Sequence, residues 1–124
     1  MNVDNSSNID LHELFSAIDR KDTDTFLDFL SEDAIFRFGS TPAVQGHDTI
    51  RAAVDGFFAS IGGSKHQLLN TLADGALLVC EGEVCYRRLD ETELTLPFTN
   101  VFETAGGLIS CYKIYIDISP LYAE

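Results

Sequence analysis

A chain of 124 residues has the length of one domain, able to bury about two-thirds of the surface its unfolded form exposes, and leaves no room for a second. Hydrophobic residues at 45% and charged residues at 23% make an ordinary globular balance, which sets aside wholesale disorder, collagen-like repeats and membrane spanning. Twenty acidic against eight basic side chains give a formal charge of -12, a field that repels phosphate backbones and anionic lipid, so neither nucleic acid nor membrane is expected as a partner.

Residues 1–8 are polar, with neither the basic start nor the apolar run of a signal peptide; they are expected to be disordered, and the chain cytoplasmic. Residues 9–124 are expected to form the single domain. Leu11, Leu14, Phe15 and Ile18 recur at helical spacing, so a first helix is predicted over about 9–20, capped by Asn8 or Asp10. Lys21 and Asp22 break it, and Thr23 or Asp24 caps a shorter helix with Phe26, Phe29 and Leu30 on one face. A short strand follows over 34–38, stopped by Gly39, Ser40, Thr41 and Pro42. Asp48 is the expected cap of a third helix, whose apolar stripe is Ile50, Val54, Phe57, Phe58 and Ile61 and whose stop is Gly62-Gly63.

From Lys65 the period changes to two, and four strands are predicted at about 65–73, 76–89, 92–104 and 108–118. Helices first and a meander last indicate an α+β fold, an antiparallel sheet with three N-terminal helices on one face. Cys80, Cys85 and Cys111 have no CxxC or Cys/His zinc spacing, so they read as reduced strand residues, with no metal and no cofactor expected.

The hairpin loops set the register. With two-residue loops at Asp74-Gly75 and Asp90-Glu91 and a three-residue loop at 105–107, His66, Glu83, Phe98 and Ile114 share one row. Leu68, Glu81, Asn100 and Tyr112 form the next. Gly82, Tyr86, Thr99, Lys113, Tyr115 and Asp117 fall on the opposite face. The first face is apolar at its ends and polar in its middle, the pattern of a cavity lining. Asp90-Glu91 lacks glycine, and a slip of one residue there carries Glu81 and Glu83 outward.

The break Arg20-Lys21-Asp22, the segment Leu30-Ser31-Glu32-Asp33-Ala34, the Gln45-Gly46 step, the strand Glu81-Gly82-Glu83-Val84, the Leu96-Pro97-Phe98 run and the close Tyr115 to Leu121 together resemble the nuclear transport factor 2-like superfamily, and within it the SnoaL-like bacterial proteins. That resemblance implies a cone-shaped, cystatin-like sheet bent around the helices, an apolar cavity, and a homodimer through the outer sheet face. It does not imply one activity, because the superfamily holds both enzymes and accessory domains. Aligned on the helix hairpin, the three catalytic positions of ketosteroid isomerase fall on Leu14, Phe38 and Thr99, which cannot serve. The water-activating set of limonene-epoxide hydrolase falls on Ile114 and the segment 81–85 and lacks its arginine.

The expected ligand is therefore a small apolar molecule. Glu83 and His66 are the candidate acid/base pair, since a carboxylate beside imidazole can hold or move a proton. Glu81, Asn100 and Tyr112 are candidate polar contacts, and Phe36, Phe38, Phe57, Phe98 and Ile114 candidate apolar walls. The competing reading is a non-enzymatic binding or dimeric assembly module.

Overall fold

A computed structural model of the chain describes residues 9–122, so the disorder expected of residues 1–8 lies outside the described residues. Helix α1 (Leu11–Asp19) starts where the Asp10 carboxylate accepts the Glu13 amide, and it buries Leu11, Leu14, Phe15 and Ala17. Lys21 then turns the chain at φ 58, and Asp22, not Thr23 or Asp24, caps α2 (Thr23–Asp28) by accepting from the Thr25 amide and hydroxyl. Leu30 leaves the helical face it was expected to share and opens strand β1 (Leu30–Phe38), where it pairs with Ile109. A two-residue strand, β2 (Val44–Gln45), leads into α3 (His47–Ala59). Gly46, at φ 91, is the N-cap of α3, while Asp48 lies in its first turn.

The remaining strands are β3 (Gly63–Asp74), β4 (Leu77–Arg87), β5 (Glu93–Ala105) and β6 (Leu108–Tyr115), followed by a 3-10 turn, Ser119–Tyr122. They form one six-stranded sheet in the order β2-β1-β6-β5-β4-β3. The sheet is mixed and not wholly antiparallel, because β1 joins β6 in parallel. That pairing needs the whole meander between its partners, so no local turn announces it. The helices lie on one face, where Leu14, Phe26, Ile50 and Phe58 share the core with Val84, Phe98, Phe102 and Tyr112.

Three hairpins decide what faces that core. Between β4 and β5 the loop holds three residues, Leu89 to Glu91: the Arg88 amide donates to the Thr92 carbonyl, and Glu91 takes the left-handed conformation at φ 75. This is the three-residue hairpin in which the last loop residue is left-handed, and glycine is not obligatory for it. The extra residue moves the register by one, so Val84 pairs with Leu96 and Gly82 with Phe98. Between β3 and β4 the loop is Gly75-Ala76, and a bulge at Leu69 shifts the pairing again, so that His66 faces Val84 while Gln67 faces Glu83. Between β5 and β6 a two-residue Gly106-Gly107 loop and a bulge near Ser110 move the register by two from that expected. An even shift preserves the face, and Asn100, Tyr112 and Ile114 stay inside.

Candidate functional site

The concave face of the sheet and the helices line a half-open cavity of about 350 Å³, within the range of small-molecule sites. Phe36, Phe38, Phe57, Phe98 and Ile114 contribute to its wall, as do His66, Asn100 and Tyr112. The phenylalanines line the space without filling it: Phe38 and Phe57 meet edge to face at 4.7 Å, and Phe57 meets Tyr86 the same way at 5.7 Å. Tyr86 and Gly82, expected on the outer face, point inward with the even-numbered residues of β4.

Glu83 and Glu81 are not in the wall. Both are exposed on the opposite face of β4, and Glu81 accepts a hydrogen bond from the Asn70 amide at 2.6 Å. The expected Glu83 and His66 pair is therefore not formed, because the longer loop after β4 reverses the direction of every odd-numbered residue in the strand.

The carboxylate beside His66 comes instead from the end of α1. Asp19 Oδ1 lies 2.6 Å from His66 Nδ1 and accepts the Ser64 hydroxyl at 2.8 Å, while Asp19 Oδ2 accepts the His66 backbone N–H at 2.9 Å. Burial alone would raise the Asp19 pKa, but the hydrogen bonds and charge of His66 and the Ser64 hydroxyl outweigh it and hold the carboxyl below its ordinary value of 3.8. An ionised carboxylate only accepts, so the proton between the two groups sits on Nδ1, leaving Nε2 as the second ring nitrogen, with no hydrogen-bond partner among the described residues. The imidazole side chain is 9% exposed and packs between Phe15 and Phe98, with ring centroids 4.8 and 5.4 Å away.

Asp19 escaped the sequence reading because it lies 47 residues from His66. One local sign was available. A carboxylate in the last turn of a helix opposes the macrodipole, and α1 has no basic residue there to compensate it. An acid retained at such a place is held by something outside the helix.

Asn100 and Tyr112 stand deeper in the wall. Asn100 Oδ1 and the Tyr112 hydroxyl are buried and have no hydrogen-bond partner among the described residues, so they do not satisfy one another. Each such orphan costs about 1–3 kcal/mol. Burial, with smaller repulsion from Cys80 and Tyr86, pushes the Tyr112 phenol well above its ordinary pKa and keeps it neutral. Cys80, behind the same wall, is pushed up to about 12 by burial, which leaves it a thiol and a poor nucleophile. His47 Nε2 contacts the Leu30 carbonyl at 3.0 Å, and Asp117 accepts from Ser119 at the chain's closing turn; neither faces the cavity. Among the described residues no cluster of three or more His, Cys, Asp or Glu side chains is placed to hold a metal ion, and no helix is long and apolar enough to cross a membrane.

The family profile of the SnoaL-like domain matches residues 11–112. The chain belongs to that family. Its fold is nuclear transport factor 2-like, as solved structures of the same shape show. An NTF2-like protein of unknown function from Burkholderia pseudomallei is 18% identical, with 90% of each chain covered and a TM-score of 0.82. TerC, co-crystallised with polyporic acid, is 17% identical over 94% of this chain and 95% of its own, with a TM-score of 0.82. An LEH-like epoxide hydrolase from M. tuberculosis is 18% identical over 87% of this chain and 80% of its own, with a TM-score of 0.73. At these identities the likeness shows the fold alone. No curated protein matches the chain.

Proposed function

We propose that this SnoaL-like domain binds a small, largely apolar, ring-containing molecule and transfers a proton on it without a cofactor, with His66 as the acid/base and Asp19 holding its ring. The observation that carries the reading is the His66 and Asp19 contact at 2.6 Å beside a largely apolar cavity. An apolar ligand filling such a site would displace its water, and the carboxylate fixes one tautomer, so that Nε2 is the nitrogen available to take a proton from a ligand carbon or return one. Ser64 and the His66 backbone amide hold Asp19 from its other sides.

Two probes test it. Polyporic acid, the molecule crystallised with TerC, reports binding through a shift in melting temperature. The two-ring ketone 2-tetralone reports proton transfer, because deuterium enters its α position in D2O at a rate visible by NMR. The wild-type chain should accelerate that exchange, and His66→Gln and Asp19→Asn should slow it while the fold persists. Equal exchange by wild type and His66→Gln would remove the catalytic part of the reading; ring-molecule binding without exchange would leave a binding module.

Assembly is a separate reading favoured by the outer face. Leu72, Leu77 and Tyr115 are exposed there by 68, 42 and 52%, large apolar side chains that a second copy could cover. A homodimer through this face would cover it. Light scattering should find a dimer that Leu72→Lys converts to monomer, and a monomeric wild-type chain would end the idea.

A further inference from the structure

A second concavity lies on the other side of Asp19. About 530 Å³ in volume, it is walled by the break after α1, by the segment leading from α3 into β3, and by the ends of β4 and β5. Arg20, Lys21, Lys65 and Arg87 line it, four of the eight basic side chains in a chain of net charge -12. We propose that this basic hollow binds a phosphate-type oxyanion, free or carried on a small organic molecule.

The opposing charges have to be counted. Asp19 and Glu93 also line the hollow and set two negative charges against its four positive ones, although both Asp19 oxygens are turned to Ser64 and His66. Arg20 is held by Glu13, Ser16 and Asp22, so it contributes little free charge. Arg87 gives Nη2 to the Gly62 carbonyl at 2.5 Å and has Glu91 3.7 Å from Nε. Lys21 gives one of its three protons to the Ile61 carbonyl at 2.8 Å. Among the described residues the unspent donors are Arg87 Nη1, the buried Arg87 Nε, two Lys21 protons and the exposed Lys65 ammonium, which has no hydrogen-bond or ion-pair partner there. These donors, on the break after α1, on β3 and on β4, can converge on one multivalent anion.

The backbone is shaped for the same end. A Cβ on Gly62 would come within 3.2 Å of Arg87 Nε, and one on Gly63 within 3.0 Å of Arg87 Nη2, so the two glycines let the guanidinium lie flat along the chain. The simpler account is that Lys21 and Arg87 only satisfy carbonyls just past α3, which has no basic residue in its last turn. That account does not include Lys65, which on the edge strand β3 also guards the open edge against pairing.

The test is an NMR titration of amide shifts in the whole chain with inorganic phosphate and, separately, phenyl phosphate, at ionic strength held constant with sodium chloride. Saturable shifts at the amides of Gly62, Gly63 and Lys65 are expected, weakened about threefold in Lys65→Ala, the scale of one exposed ion pair, and restored in Lys65→Arg. Equal affinity for both probes would assign the site to free phosphate, and tighter phenyl phosphate to an organic phosphate. Shifts that chloride reproduces, affinity unchanged in Lys65→Ala, or shifts confined to the walls of the apolar cavity would overturn the proposal. None of these outcomes depends on proton transfer at His66.

Discussion

The two faces of β4 alternate residue by residue and have opposite fates. On the inner face Leu78, Cys80, Gly82, Val84 and Tyr86 are buried; on the outer face Glu81 and Glu83 are exposed, one residue away from each buried neighbour. Alternation alone cannot say which set is inside, because a strand of period two has two equally regular solutions. The loop of three residues after β4 makes the choice. A carboxylate on this strand is therefore a solvated group, whereas the carboxylate that meets His66 arrives from a helix end on another layer.

The largest effect that would break this contrast is expected at Gly82. A Cβ there would lie 2.0 Å from the Gln67 carbonyl oxygen, a backbone atom that can move only with its strand. Gly82→Ala should cost about 1–3 kcal/mol, seen as a lower urea midpoint, while the neighbouring outer-face change Glu81→Gln stays near zero. An unaffected midpoint would place Gly82 on the wrong face.

Asp19→Asn ranks next, since it replaces charge-assisted bonds to His66 and should cost roughly 1–3 kcal/mol. The pH dependence has a definite sign. Because the folded pKa lies below 3.8, Asp19 contributes stability above that value and loses it as pH falls through its lowered folded value. Melting temperatures recorded below pH 4 should fall less steeply for Asp19→Asn than for wild type, and parallel curves would deny the linkage.

Tyr112→Phe should be neutral or stabilising by up to about 1 kcal/mol, because it deletes a buried hydroxyl that has no partner. A clear loss by thermal melting would reveal a partner for that hydroxyl. The smallest effect belongs to Glu83→Gln: stability within about 0.5 kcal/mol and proton exchange on 2-tetralone unchanged. A loss of exchange would return the outer glutamate to the mechanism.

Much of the architecture was legible because it rests on local chemistry. Helical spacing located α1 and α3, the change to period two located the meander, and the cavity walls Phe36, Phe38, Phe57, Phe98 and Ile114 followed from apolar faces that must be covered. Less of the site was legible. Asn100, Tyr112 and His66 came out on the inner face even though the expected loop lengths were wrong, because the errors between β5 and β6 added to an even number and the bulge at Leu69 corrected β3. Glu81 and Glu83 had no such second shift to return them.

Composition and periodicity by themselves determined that the chain is acidic and of the α+β class, which residues are apolar enough to make its core, and that helices precede the meander. Only the tertiary structure decided the parallel joining of β1 to β6, the side of β4 that faces inward, and the meeting of Asp19 with His66. Propensity and patterning act over a few residues, so they survive in the sequence as period and composition. A contact across 47 residues depends on the sum of every loop and bulge between its partners, and a single residue in any one of them reverses the result.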